Sequence, residues 1–231
     1  MRRPDFAEIR RRCHGMMRVE VYEAIYDAAR TAPGSVFVEI GTGHGAGTVC
    51  LTLGLRDAGK EGVVYTFDRF EGGSRKPYGD AGRNEAIARE ALKSFGVDSM
   101  VRVVAGDIAE TSSAVPADEE IGLLMLDVDG RIDRDLGLFL ARVLRGAPVI
   151  IDDCSDRVRA KDKGDHLRID QKHRITHLLV ESAIAHGLIE HTGTVNQTWF
   201  GRKAGGMFLD WPSSAIIEAY RGLVFANAEK A

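Results

Sequence analysis

Val36-Phe-Val-Glu-Ile-Gly-Thr-Gly-His-Gly-Ala-Gly-Thr48 decides how the chain is read. An apolar, β-branched run ends in an acid, glycines follow at alternate positions, and the next segment has helical character, which predicts strand, tight turn and helix N-terminus in that order. Gly41, Gly43 and Gly45 carry no Cβ, so the backbone there can take positive φ and admit a ligand to contact distance, while the helix that follows offers free N–H groups. Such a turn suits a nucleotide-like ligand. Glu39 narrows the choice, because a carboxylate beside the loop repels a pyrophosphate and attracts a cationic or amine-bearing group. Gly41-x-Gly43-x-x-Ala46 also satisfies the relaxed dinucleotide pattern, so a nicotinamide-dependent oxidoreductase stays open at this point.

Outward from this loop, apolar residues at 19, 22, 25, 26 and 29 have helical spacing and predict a helix over 19–30 that stops before Pro33-Gly34. Residues 1–15 read as a loosely packed arm. After the loop come a short helix over 48–57 and a strand over 63–68 that closes on Asp68. An acid at that place suits a carboxylate that accepts hydrogen bonds from both ribose hydroxyls. Residues 69–82 read as a glycine-rich loop, 84–95 as a helix ending at Gly96, and 101–105 as a third strand followed by Asp107. The apolar run 121–126 is a central strand, 134–144 a helix, and 148–151 a fifth strand. The charged stretch 154–169 reads as an irregular surface loop, and 170–186 as a long helix. The segments 189–195 and 198–203 are joined by so short a turn that they can pair only as an antiparallel hairpin. A helix over 213–225 follows Pro212.

The 231 residues fit one α/β domain, with 1–15 as an arm and 204–231 as a helical extension. A formal charge of −3 argues against a general nucleic-acid or membrane binder. The basic cluster Arg2, Arg3, Arg10, Arg11, Arg12 and Arg18 is diluted by acids and reads as a solvated helix face. Cys13, Cys50 and Cys154 are odd in number and show no paired spacing, which points to reduced, packed thiols and a cytoplasmic protein. No apolar run is long enough to span a bilayer.

The motif Glu39-Ile-Gly41-Thr-Gly43-His-Gly45 resembles the first motif of the class I S-adenosylmethionine-dependent methyltransferases, an acid, one residue, then alternating glycines. The resemblance implies a Rossmann-like, mostly parallel seven-stranded sheet with helices on both faces and a C-terminal antiparallel hairpin. It implies S-adenosyl-L-methionine as cofactor, with contacts from Glu39, Gly41, Thr42, Gly43, Gly45, Asp68, Arg69, Asp107 and Asp127. Gly15-Met16-Met17 is similar to the entry segment of small-molecule O-methyltransferases, where that region meets the cofactor.

Strands 121–126 and 148–151 are expected neighbours, so Asp127, Asp129, Asp152 and Asp153 converge just beyond the glycine loop. Carboxylates that close repel one another unless protonated or bridged by a cation, and an all-oxygen set selects a hard ion, Mg²⁺ before Ca²⁺ or Mn²⁺. Adjacent aspartates on a strand face opposite ways, so Asp152 and Asp153 can share an ion only where the strand has ended. The pattern resembles the metal-dependent catechol-type and antibiotic-tailoring O-methyltransferases, which implies Asp127, Asp152 and Asp153 as ligands, Asp129 behind them, and methyl transfer to a small-molecule hydroxyl. Relatives often place a Lys or His about three residues after the first acid, but position 130 is glycine. The expected catalytic set is therefore Asp127 with Lys163 and His166, and Lys161, Lys172, His173 and His44 are further candidates for the base. A metal-independent N- or O-methyltransferase and a catalytically silent cofactor-binding protein are the alternatives, and self-association stays open.

Overall fold

The computed structural model describes residues 3–71, 79, 81–127, 129–162 and 164–225. In chain order the elements are α1 (Phe6–Arg12), α2 (Val19–Thr31), β1 (Val36–Ile40), α3 (Ala46–Asp57), β2 (Val63–Asp68), α4 (Ala81–Ser94), β3 (Val101–Ala105), α5 (Ile108–Thr111), β4 (Ile121–Leu126), α6 (Ile132–Phe139), β5 (Pro148–Ile151), β6 (Arg159–Asp162), β7 (Leu167–Asp170), α7 (Lys172–Ala185), β8 (Ile189–Val195), β9 (Thr198–Lys203) and α8 (Ser213–Phe225). Seven strands form one sheet in the order β3-β2-β1-β4-β5-β9-β8, and β6 and β7 form a separate two-stranded sheet. The first five pair in parallel, β9 runs antiparallel to both β5 and β8, and the expected fold class is the one observed.

Alternation along the strands builds two cores. Phe37, Leu123, Met125 and Ile150 face one side, where Ile25 of α2 and Leu51 of α3 pack against them. Val38, Ile40, Leu124, Leu126 and Ile151 face the other, against Leu136 of α6 and Leu179 of α7. Central parallel strands are covered on both faces, which is why β4 is apolar and buried throughout. β1 is central in another sense: from it the chain steps outward to β2 and β3 on one side, and later to β4 and β5 on the other. The crevice at such a reversal, beyond the carboxyl ends of the strands, is where open α/β sheets bind ligands.

Three local expectations are corrected. The N-terminal stretch is not a loose arm, because α1 buries Phe6 and Ile9, its cap Cys13 is buried too, and Phe6 meets Tyr26 edge-on at 5.4 Å. The charged stretch after β5 is not irregular but contains the β6–β7 hairpin, so α7 starts two residues later than expected. The helix expected to reach Leu144 ends at Phe139 and continues only as a single tighter turn over Leu140–Arg142. Among the described residues no helix is long and apolar enough to cross a membrane. All three cysteines are free and buried, and burial pushes their thiols above the usual range, which fits a packing role.

Candidate active site

The loop after β1 is tied down by backbone bonds that prolong the sheet. Gly41 N–H donates to the Phe67 carbonyl at 2.8 Å, and Asp127 N–H to the Ile40 carbonyl at 2.8 Å. Gly41 has φ +105°, and a Cβ there would collide with the carbonyl of Asp127. Gly43 and Gly45 also have positive φ, Gly45 as the residue that caps α3. The alternate glycines therefore answer to real backbone demands. Gly41→Ala is expected to cost about 2 kcal/mol, read as a lowered denaturation midpoint, because it combines a disfavoured φ with a backbone clash.

Asp68, at the end of β2, accepts the N–H of Gly43 at 2.8 Å and that of Phe70 at 2.8 Å. Its carboxylate is thereby fixed at the mouth of the loop. Glu39 is 1% exposed, and one carboxyl oxygen takes the hydroxyls of Thr48 at 2.5 Å and Thr66 at 2.6 Å. Burial pushes its pKa up to about 8, so the group holds a proton at neutral pH. Its side chain borders a small chamber of about 40 Å³ with Met16, Met17, Gly41 and Gly43 among the walls.

That chamber adjoins a cleft of about 1110 Å³, whose lining includes Met16, Gly43, Asp68, Asp127, Asp152 and Lys172. Asp127 and Asp152 follow β4 and β5 directly. Because Leu126 pairs with Ile151, the two aspartates are the next rung of that ladder, and Asp152 N–H still donates to the Leu126 carbonyl. β5 stops at Ile151 and Asp153 sits at φ +53°, so the strand has ended where the condition for a shared ion requires it. Carboxylate oxygens of Asp127, Asp152 and Asp153 all lie within 4.8 Å of one another. Burial and the Asp152 charge raise Asp127 to about 7, and burial and Asp153 raise Asp152. Thr198 on β9 steadies Asp152 with a 2.5 Å hydrogen bond. Carboxylate oxygens from three residues at this spacing are the donor set a hard divalent cation takes.

Lys172, at the start of α7, reaches into the same cluster, with Nζ 2.8 Å from Asp153 and 3.6 Å from Asp127. His173 Nε2 lies 3.1 Å from the other Asp153 oxygen. Burial opposes the charge on Asp153, but Lys172 outweighs it and Asp153 stays below its usual range. Burial likewise opposes the charge on Lys172, but the acids hold it protonated.

Of the other expected residues, Thr42 and His44 line the small chamber and Asp129 lines the cleft. His44 is buried, bonded through Nε2 to Asn84 at 2.9 Å, and burial lowers its pKa. Thr42 joins the buried hydroxyl chain through Thr66 at 2.6 Å. Asp107 caps α5 by accepting the Ala109 N–H, and Arg69 pairs with Glu71 at 3.0 Å and lies 3.9 Å from Asp107. Asp129 turns to Arg134 at 3.2 Å. His166 is exposed between β6 and β7 and pairs with Asp165 at 2.6 Å. Lys163 lies outside the described residues, as does most of the loop over 69–82. The hydroxyls of Thr48, Thr66 and Thr198 escaped the sequence reading, although Thr66 stands between Tyr65 and Phe67 in the interior of β2.

Residues 38–154 match the family described as a methyltransferase domain, and the chain belongs to that family. The same fold occurs in the O-methyltransferase NovP, at 20% identity over 83% of this chain and 82% of that one, TM-score 0.61. It occurs in TomG of Streptomyces achromogenes, an O-methyltransferase of tomaymycin synthesis solved with SAM, at 16% identity over 88% and 92%, TM-score 0.60. It is also that of an O-methyltransferase from Bacillus cereus solved with SAH, at 16% identity over 87% and 92%, TM-score 0.59. Comparison with curated proteins finds no match.

Proposed function

We propose that the chain transfers a methyl group from S-adenosylmethionine to a hydroxyl of a small molecule, with a divalent cation held by Asp127, Asp152 and Asp153. The observation that carries this reading is the meeting, in one cleft, of a glycine cradle that tolerates no Cβ at Gly41, a ribose-type acid at Asp68 and the three-aspartate cluster. The solved O-methyltransferases with this fold support the reaction class.

S-adenosylmethionine supplies an electrophilic methyl on a sulfonium. In this reading the glycine loop cradles its methionine portion, Asp68 takes the ribose hydroxyls, and Thr42 and Gly45 shape the same turn. Met16, Met17 and Glu39 wall the chamber suited to its methionine end. Burial favours the protonated form of Glu39, and a cationic amine beside it favours the carboxylate, which ties ligand charge to proton release. Arg69 and Asp107 belong to the rim on the β3 side in this assignment. A divalent ion on the three aspartates supplies Lewis acidity toward the acceptor hydroxyl.

The acceptor's proton goes to Lys172 in this reading. As an ammonium it accepts nothing, but the charge holding it protonated is that of Asp127 and Asp153, so neutralising those carboxylates lowers its pKa. Lys172 takes precedence over His166, which stands exposed beside Asp165. Calorimetry with S-adenosylmethionine tests the cofactor half: binding is expected, with affinity falling at least tenfold in Asp68→Ala, and no heat at millimolar ligand removes the reading. Turnover untouched by a chelator removes the ion and leaves a metal-independent transferase.

A further inference from the structure

Glu39 shares the α3 side of the sheet with Phe37, and its partner across the parallel ladder on β2 is Thr66. Thr66 and Thr48, the latter in the first turn of α3, are both buried, and their hydroxyls donate to the same oxygen, Oε2, at 2.6 and 2.5 Å. The single proton of the Thr66 hydroxyl is thereby used, so Thr42 donates in turn to the Thr66 oxygen at 2.6 Å. Among the described residues none donates to Oε1. That oxygen lies against Gly47, where an added Cβ would come within 2.4 Å of it, and Glu39 and Gly47 are both walls of the small chamber beside the glycine loop.

Packing alone does not ask for these hydroxyls. Valine has the shape of threonine and no polar atom to satisfy, so a buried threonine is a cost unless its hydroxyl is used. Here two are used on one oxygen of one carboxyl. With Oε2 held from α3 and from β2 at once, the side chain is fixed in place and Oε1 is the oxygen left to meet a ligand. A chamber of about 40 Å³ holds a few water-sized groups and no ring. Asp127 is a second acid in its wall, so the chamber favours a cation over an anion.

We infer that Thr48 and Thr66 are positioning residues for the cofactor: they hold Glu39 so that Oε1 faces the chamber and takes the ammonium of the methionine end. The inference rests on the S-adenosylmethionine reading for the identity of that ammonium, and adds two side chains that act only through Glu39. An ammonium on a carboxylate makes a charge-assisted bond, about twice as strong as a neutral one. Without the hydroxyls Oε2 loses its donors, and the carboxyl turns or keeps its proton to compensate. Either change withdraws Oε1 from the ammonium.

Calorimetry on the full chain tests this with S-adenosylhomocysteine and its des-amino analogue, which carries a butanoate chain and differs only in the amine. The parent chain is expected to bind the amine-bearing ligand at least tenfold tighter, as a hydrogen bond to a charged group provides. In Thr48→Val and in Thr66→Val that advantage is expected to fall below threefold while affinity for the analogue stays within twofold. Thr48→Ser, which keeps the hydroxyl, is expected to keep the advantage. A merely structural role would weaken both ligands together, and that result overturns the inference, as does an advantage that survives in both valine variants. Should neither valine variant fold, Gly47→Ala decides, because its methyl enters the space of Oε1 at a helical position that suits alanine. Loss of the advantage there supports the inference and its retention overturns it. A parent chain that binds both ligands equally overturns this inference alone, whereas one that binds neither overturns the cofactor reading beneath it.

Discussion

Asp127→Ala is expected to lower the rate of methyl transfer about a thousandfold while leaving the fold intact, the range found when a group that stabilises developing charge is removed. The expectation follows from where the side chain stands. It belongs to the three-carboxylate cluster and faces Lys172, and its own backbone carbonyl closes against Gly41. One residue thus joins the cofactor loop to the chemistry. Its effect on stability has the opposite sign. The folded-state pKa is raised from 3.8 to about 7, chiefly by burial and by Asp152. Between those values the folded chain binds more protons than the unfolded one, so stability falls as pH rises through this window, and the cost is fully present above about pH 7. Removing the carboxyl removes that cost. Thermal melts should therefore show the variant gaining on the parent chain at pH 8 relative to pH 4, while release of S-adenosylhomocysteine collapses. A rate within threefold of the parent would place the acid outside the reaction.

The fold was legible because its determinants are local. β1, β2, β4 and β5 are short β-branched or apolar runs, and the two-residue connection between Val195 and Thr198 admits only a hairpin. The gathering of Asp127 with Asp152 was legible for the same reason, since both close strands that had to be neighbours. Other features depended on contacts distant in sequence. Phe6, Ile9 and Cys13 do carry helical spacing, but three consecutive arginines drowned the pattern, and its value lies in packing against α2 and α3. β7 does alternate, Leu167 and Ile169 against Arg168 and Asp170, but over only four residues inside a charged stretch, and neither apolar side chain is buried. The proposed proton acceptor was hardest. Position 130 is a glycine at φ +88°, with Ile175 and Thr176 of α7 close by. The same helix starts with the amine that reaches the acids, supplied from a point 45 positions after Asp127. No spacing rule links a lysine after a hairpin to an acid before α6; only the packing of α7 does.

Lys172 accordingly gives the second large effect. Lys172→Met keeps most of the aliphatic stem but takes the ammonium away from three carboxylates within 4.8 Å of one another, leaving His173 beside Asp153 and the Thr198 hydroxyl on Asp152. With Lys172 and Asp153 side chains 23% and 28% exposed, the lost pairing should cost about 3 kcal/mol in a chelated sample above pH 7. Below about pH 4 the penalty should shrink, because Asp127 then carries its proton in both states. Magnesium separates the two uses of the cluster. In the parent chain an incoming ion competes with an ammonium already bound to Asp153, whereas in the variant that competitor is gone, so the variant should bind Mg²⁺ at least tenfold more tightly. Its melting temperature should recover on adding the ion, as binding to the folded state alone requires. Methyl transfer should not recover with it if Lys172 is the base, as proposed, because the amine is missing. A variant that regains stability and stays inactive supports the ion site and the base together. One that is indifferent to magnesium at pH 8 reduces the three aspartates to partners of a lysine, and the cation disappears from the mechanism.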